Sequence, residues 1–271
     1  MSSRNLQGKS NRSFAASHQR SWLWGRHAVQ ETLRAGVWPV IELLLDEDLP
    51  LETLLELQDF MSSTGIKIQR VPASRLLELC RAEDHQGFLA RMGELPCRSL
   101  EDLERSLQSR GADSENSKPL PPLFVVCDRL QDAHNFGAIL RCCDAMKVDG
   151  VIIGEKSQVS VTPHVARASA GAVNHLTLYR VPSLADAVVT MKRNGLRILA
   201  ATEKTDTLLW QADSKGSLAV VIGSEAVGIA PDLLSECDLQ IAIPMLGGVS
   251  SLNAAVAAGI VLYECRRQQM S

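Results

Sequence analysis

Ile243-Pro-Met-Leu-Gly-Gly-Val-Ser-Ser-Leu-Asn-Ala-Ala-Val-Ala-Ala-Gly-Ile-Val-Leu-Tyr-Glu264 is the stretch on which the reading of this chain turns. A strand predicted over Leu239–Ile243 runs into Pro244, which has no N–H to give a ladder and so ends it. Gly247 and Gly248 then let the backbone turn sharply and come close to a ligand. Ser250 or Ser251 is placed to cap the following helix. That helix is apolar nearly all round and is expected to be buried. Its small residues Ala254, Ala255, Ala257, Ala258 and Gly259 leave room for another backbone. A polar Ser251-Leu252-Asn253 triplet opening such a helix costs free energy unless its groups are used. A capped core helix of any α/β domain accounts for the stretch as well as a ligand site does.

Outward from this stretch, strands are predicted at Leu123–Cys127, Gly150–Ile153, Thr177–Arg180, Arg197–Thr202, Ser217–Ile222 and Leu239–Ile243, with helices between most of them. Regular alternation of strand and helix predicts a mainly parallel sheet covered on both faces. This domain begins at Leu123 and runs to the end of the chain. Ligands bind at strand ends in such sheets, and two more polar clusters stand there. In Asn135-Phe-Gly-Ala-Ile-Leu-Arg141, Asn135 is a natural cap, and Arg141 lies on the helix within reach of an anion. A capped helix with a surface Arg accounts for that cluster on its own. Gly223-Ser-Glu-Ala-Val-Gly228 has the glycine spacing of a phosphate loop, but Ile229-Ala230 stands where Lys and Ser or Thr are required. No nucleoside triphosphate, dinucleotide or metal site is expected.

Residues 22–92 alternate short strands and helices and form a small α/β module. A helix over Gly25–Arg34 stops at Gly36, a strand covers Ile41–Leu45, and a helix runs between Pro50 and Gly65. Ile66–Val71 alternates like a half-buried strand, Arg75–Arg81 is a short helix, and the polar turn Asp84-His85-Gln86-Gly87 precedes a strand over Phe88–Met92. Residues 93–122 hold an exposed helix over Ser99–Arg110 and a linker rich in Gly, Ser and Pro. Residues 1–21 carry Arg4, Lys9, Arg12 and Arg20 without an acidic residue and read as a disordered basic tail. The same composition suits a mitochondrial transit peptide.

A net charge of −3 over 271 residues gives no global sign of nucleic-acid binding, so any basic surface is local. No apolar run approaches the roughly 20 residues of a membrane span. Seven cysteines without a C-x-x-C pair suit reduced thiols in a cytosolic protein. Cytoplasmic localisation is the expectation.

Taken together, these clusters resemble the motifs of the SpoU/TrmH family of the SPOUT superfamily, RNA ribose 2′-O-methyltransferases that use S-adenosylmethionine. Asn135, Gly137 and Arg141 match its first motif, and Gly223, Glu225 and Gly228 its second. Ile243-Pro244-Met245 and Ser251-Leu252-Asn253 match its third. The N-terminal module, with Gly25–Val29 and His85-Gln86-Gly87, resembles the family's substrate-binding domain of ribosomal-protein type. It draws the chain toward the branch that modifies a guanosine of large-subunit rRNA, with the same chemistry on tRNA, or a non-catalytic RNA-binding or ribosome-assembly protein on the same fold, as the alternatives. The resemblance implies a parallel sheet with a C-terminal trefoil knot, and a homodimer through the C-terminal helix with Arg141 serving the partner's site. It implies a cofactor held at Gly223, Ile243, Leu252 and Thr202. Catalysis falls to Arg141 with Asn135, Glu225, Ser251 and Asn253, and RNA binding to Arg26, His27, His85 and Gln86. The family gives the position of Arg141 the role of base. A guanidinium is essentially never deprotonated in proteins, so gripping phosphate is physically easier. The chain departs from the family at Ala226, where glycine is usual, and at Ala254-Ala255. It departs again at Asn174, where a glutamate is expected to face the RNA.

Overall fold

A computed structural model describes residues 21–63, 65–109 and 120–271. The expectations for the tail and for the linker over 110–119 lie outside the described residues. The chain divides into two compact units, residues 1–96 with 161–174, and residues 97–160 with 175–271.

In the first unit, β1 (Trp22–Trp24) leads into α1 (Arg26–Ala35), followed by β2 (Val40–Asp46), α2 (Leu51–Ser63), β3 (Lys67–Val71), α3 (Ala73–Cys80) and β4 (Phe88–Met92). The sheet order is β1-β4-β2-β3, with β2 and β3 parallel and β4 antiparallel to both of its neighbours. Gly36 ends α1 in the left-handed region at φ 63°, its N–H returning to the carbonyl of Thr32, as a C-terminal glycine cap does. Leu23, Leu45, Phe88 and Leu89 are fully buried, each side chain contributing about 1.5–3 kcal/mol of hydrophobic stabilisation.

The segment 161–174 belongs to this unit although it lies far along the chain. It carries the short helix Pro163–Ala168 and a turn over Ala172–Asn174. Asn174, which departs from the family's glutamate and puts an RNA-facing contact in doubt, is buried, and its Nδ2 donates to Thr32 Oγ1 at 3.2 Å. An amide fits this place because it can donate to a neutral hydroxyl, which a charged carboxylate there could not do.

The second unit begins at Cys97. It holds α4 (Leu100–Ser109), β5 (Leu123–Asp128), α5 (Ala133–Ala145), β6 (Gly150–Gly154), β7 (Leu178–Val181), α6 (Leu184–Arg193), β8 (Arg197–Ala201), β9 (Leu218–Gly223), α7 (Pro231–Ser235), β10 (Leu239–Ile241) and α8 (Ala254–Gln269). Six strands pair in the order β10-β8-β9-β5-β6-β7, all parallel. The order leaves β5 beside β9 at the point where the winding reverses, which is where open α/β sheets bind ligands. The expected exposed helix, α4, in fact buries Leu103 and Leu107 in the core of this unit. Leu100, Leu103 and Leu107 recur at the spacing of one helix face.

Three details of the opening stretch differ from expectation. β10 stops at Ile241, and Ala242 pairs with Leu208 in an isolated bridge before Pro244 ends the extended run. Asn253, not Ser250 or Ser251, caps α8: its Oδ1 accepts from the N–H groups of Ala255 at 3.0 Å and Val256 at 3.3 Å. The helix is also not buried all round. Ala254, Ala258, Val261, Leu262 and Cys265 face the core, while Val256, Ile260 and Tyr263 remain 50, 39 and 60% exposed. The neighbour against the small residues is α5: a Cβ added at Gly259 would sit 3.3 Å from the Cys142 side-chain sulfur. Arg266 fastens the far end, donating to the carbonyls of Met146 at 2.9 Å, Lys147 at 2.6 Å and Pro121 at 3.0 Å.

Candidate functional site

Asp132 caps α5 by accepting from the N–H of Asn135 at 2.8 Å. Asn135 therefore sits inside the first turn rather than at the cap, and its amide is available for other partners. Its Nδ2 donates to Glu225 Oε1. Asn253 Nδ2 donates to Asn135 Oδ1 at 2.9 Å and to Glu225 Oε1 at 3.3 Å. The N–H of Ala254 also points to Glu225 Oε1, at 3.4 Å. Residues from the ends of β5, β9 and β10 thus close one network, with the Glu225 carboxylate at the amino end of α8. The Ala254 N–H and the helix dipole favour negative charge there.

Two residues that the sequence reading did not single out hold the loop that carries Glu225. Asp128, 3% exposed at the end of β5, accepts from the N–H of Ala230 at 2.6 Å. Arg129 sits at φ 56°, pairs with both Asp128 oxygens at 3.2 Å, and donates to the Gly228 carbonyl at 3.3 Å. Gly223 closes the same turn from below: an added Cβ would lie 2.5 Å from Gly228 C and 2.6 Å from Ile229 N. Gly223, the fourth expected cofactor residue, therefore packs its backbone closely against its own loop.

Beside the network, a cleft of about 100 Å³, or about 470 Å³ with its open mouth counted, is lined by Ala201, Thr202, Glu203, Ile241, Ile243, Met245, Ser250, Ser251, Leu252 and Ala257. Three of the four expected cofactor residues, Thr202, Ile243 and Leu252, come together here, and the expected catalytic Ser251 joins them. Met245 of the third motif also lines it, as does Glu203, which no motif marked. An apolar wall with hydroxyls and one carboxylate suits a ligand with a flat heteroaromatic ring and a polar tail, so the residues present fit S-adenosylmethionine. Among the described residues, no group of three or more His, Cys, Asp or Glu is placed to hold a metal ion.

Arg141 stands apart from the network, exposed on α5 and hydrogen-bonded to none of its members. Six residues of α-helix place it about 9 Å along the axis and about 120° around it from Asn135. The four N-terminal candidates lie within the first unit. Arg26 pairs with Glu56 at 2.8 Å, and its N–H donates to Gln86 Oε1 at 3.0 Å. His85 Nδ1 accepts from the Gly87 N–H at 3.0 Å. His85 and Gln86 thereby hold their own turn, and His27 is exposed.

Comparison with known proteins agrees with this geometry. The profile of the SpoU rRNA methylase family matches residues 122–263, and that of RNA 2′-O ribose methyltransferase substrate binding matches residues 22–96. YacO of Bacillus subtilis (strain 168), named for the TrmH family of tRNA/rRNA methyltransferases, is 33% identical over 253 residues, covering 93% of this chain and 98% of its own. Among solved structures, the SpoU methyltransferase AviRb from Streptomyces viridochromogenes is 26% identical with a TM-score of 0.74, covering 96% of this chain and 94% of its own. An rRNA methyltransferase from Sinorhizobium meliloti, solved with AdoMet bound, shares the fold at a TM-score of 0.77 and 21% identity, covering 99% of this chain and 98% of its own. A parallel sheet with Asn135, Glu225 and Asn253 joined at its strand ends, and matches spanning both units, lead to one conclusion: this chain belongs to the SpoU/TrmH family of RNA methyltransferases.

Proposed function

We propose that this protein methylates the 2′-hydroxyl of a ribose in RNA, using S-adenosylmethionine, with a guanosine of large-subunit (23S-type) rRNA as its target. The observation that carries this reading is the closed Asn135–Glu225–Asn253 network beside the cleft of Thr202, Ile243 and Leu252. When bound, S-adenosylmethionine supplies an electrophilic methyl group on a sulfonium centre. Thr202, Glu203, Ile243, Ser251 and Leu252 would hold it. A ribose hydroxyl is a weak nucleophile until its proton is leaving. Asn253 Oδ1 is occupied by two helix N–H groups and Glu225 Oε1 by three donors, so neither atom is free to take the proton, and the two residues act by fixing the frame that receives the ribose. Arg141 keeps its charge at any working pH and grips RNA phosphate through its planar fork; the hydroxyl proton is released to water as the oxygen takes the methyl and the sulfonium becomes a neutral thioether.

The protein works as a homodimer in this reading. The exposed Val256, Ile260 and Tyr263 stripe on α8 supports a helix-to-helix interface, and the distance of Arg141 from Asn135 along α5 supports its action in the partner's site. A C-terminal knot suits the return of the chain from edge strand β10 to α8, which packs on α5 and on central β9. The bacterial relative named above supports a cytoplasmic setting. Incubating the purified protein with labelled S-adenosylmethionine and, in parallel, large-subunit rRNA or bulk tRNA, then mapping alkali-resistant linkages, tests the proposal. One modified ribose is expected, and label in tRNA alone would overturn the rRNA assignment.

A further inference from the structure

Within the first unit, Trp24 lines a cavity of about 260 Å³ together with His27, Gln86, Arg167 and Gly171. The Arg167 guanidinium lies 4.3 Å from the centre of the Trp24 ring. His164 meets the same indole edge-on, with ring centres 5.1 Å apart at 77°. Asp84 fixes the pair: Trp24 Nε1 donates to its Oδ1 at 2.9 Å, and Arg167 Nη2 donates to its Oδ2. That guanidinium holds the Asp84 carboxyl below its ordinary range, so it stays ionised at neutral pH.

The charges around this cavity therefore cancel, Arg167 against Asp84 and Arg26 against Glu56. What remains toward the space is π surface, an imidazole and an amide. Gln86 gives its Oε1 to the Arg26 N–H, which leaves its NH₂ to donate. Ala170 and Gly171 are both left-handed, at φ 52° and 87°, an uncommon conformation for alanine. Backbone of this kind gathers at ligand sites. Phosphate wants unpaired positive charge, and none is offered by these pairs. Unstacked bases, by contrast, stack on aromatic rings and guanidinium planes and are read along their edges by neutral donors and acceptors.

We propose that this cavity is a base-binding subsite: one unpaired nucleobase of the RNA stacks on the Trp24–Arg167 pair and is read by His27 and Gln86. It rests on the RNA reading above and adds to it a place and a chemical class of contact. The test uses the full chain with a fluorescent single-stranded RNA of mixed sequence and the same strand made abasic. Wild type should bind the intact strand about tenfold or more tighter, as expected for a base–aromatic stack. Trp24→Leu should lose that advantage while binding the abasic strand unchanged. Its slope of log affinity against log salt should stay constant, because no phosphate contact is removed. Trp24→Phe should recover binding to within about threefold, since any aromatic ring can stack. His27→Ala, at an exposed position, should weaken the intact strand alone and carries the test if Trp24→Leu does not fold. Intact-strand affinity unchanged in both variants would overturn the subsite. So would equal losses on both strands with a shallower salt slope, the mark of a phosphate site. A wild type that binds neither strand would overturn the RNA reading itself, a distinct failure.

Discussion

Replacing Asn253 separates two jobs that one side chain performs. Its Oδ1 caps α8 through two N–H groups, while its Nδ2 ties Asn135 to Glu225. Loss of such a cap costs about 1 kcal/mol, and two exposed side-chain hydrogen bonds about 0.5 kcal/mol each at the low end. Asn253→Ala should then destabilise the protein by about 2 kcal/mol, a fall in Tm of roughly 4–8 °C for units of this size. A serine hydroxyl can accept the capping hydrogen bond, so Asn253→Ser should recover about 1 kcal/mol of that loss. Serine is too short to rebuild the bridge to Asn135 and Glu225. Misplacement of orienting groups by about 1 Å costs on the order of 100-fold in rate, so single-turnover methyl transfer should stay low in both variants. Differential scanning calorimetry and rapid-quench methylation are the paired assays. If Asn253→Ser restored rate together with stability, the network would have no orienting role. If Asn253→Ala left Tm unchanged, the capping argument would fail.

Arg141→Ala should lower methyl transfer at least 100-fold with cofactor affinity unchanged, and Arg141→Lys should be slow across the whole pH range, because an ammonium lacks the planar fork that grips phosphate. A pH–rate profile settles it: recovery of Arg141→Lys at high pH would restore the base role. Gly223→Ala forces a methyl group against Gly228 and Ile229, and overpacking of this kind costs about 1–3 kcal/mol; an unaltered denaturation midpoint would show that the loop yields freely. Asp238 is pushed up by burial, but the Ile198 N–H and the Lys192 ammonium outweigh this and hold its carboxyl below the ordinary 3.8. A depressed folded value stabilises above the unfolded one and is lost as pH falls through it. Asp238→Asn should thus remove part of the acid sensitivity below about pH 4, read as Tm against pH. An identical curve would dismiss the pair. Cys127, raised to about 12 by burial, and Cys143, also raised well above its ordinary value by burial, should resist alkylation at pH 8 until the protein unfolds; mass spectrometry of the labelled native protein checks this.

The large sheet was legible because its strands are fully buried apolar runs. Leu123-Phe-Val-Val126 after Pro121-Pro122, and Leu218-Ala-Val-Val-Ile222 before Gly223, could hardly be anything else. Helix starts were harder. Asp132 and Asn135 lie three residues apart, and either can cap, as Ser250, Ser251 and Asn253 all can; the choice depends on which backbone turns first into the helical region, and composition does not carry that. The placement of α4 was available in Leu100, Leu103 and Leu107 and was overlooked because the rest of the helix is charged. The membership of 161–174 in the first unit rests on contacts such as Asn174 with Thr32 and Arg167 with Asp84, which no local pattern announces. In the site, Glu225 and Asn253 stood out as polar residues at strand ends. Thr202, Ile243 and Leu252 came from family resemblance, because backbone and apolar contacts leave little mark in sequence. Asp128-Arg129 does carry a signal, two opposite charges directly after a continuous apolar strand.

The central claim is transfer of methyl to a ribose with Arg141 as phosphate grip. Its most direct measurement is incubation of tritiated S-adenosylmethionine with deproteinised large-subunit rRNA and either wild-type protein or Arg141→Ala, followed by nuclease mapping. One labelled 2′-O-methylguanosine is expected with wild type, and none with Arg141→Ala although both proteins bind the cofactor equally. Label on a base rather than a ribose, or wild-type transfer by Arg141→Ala, would contradict it.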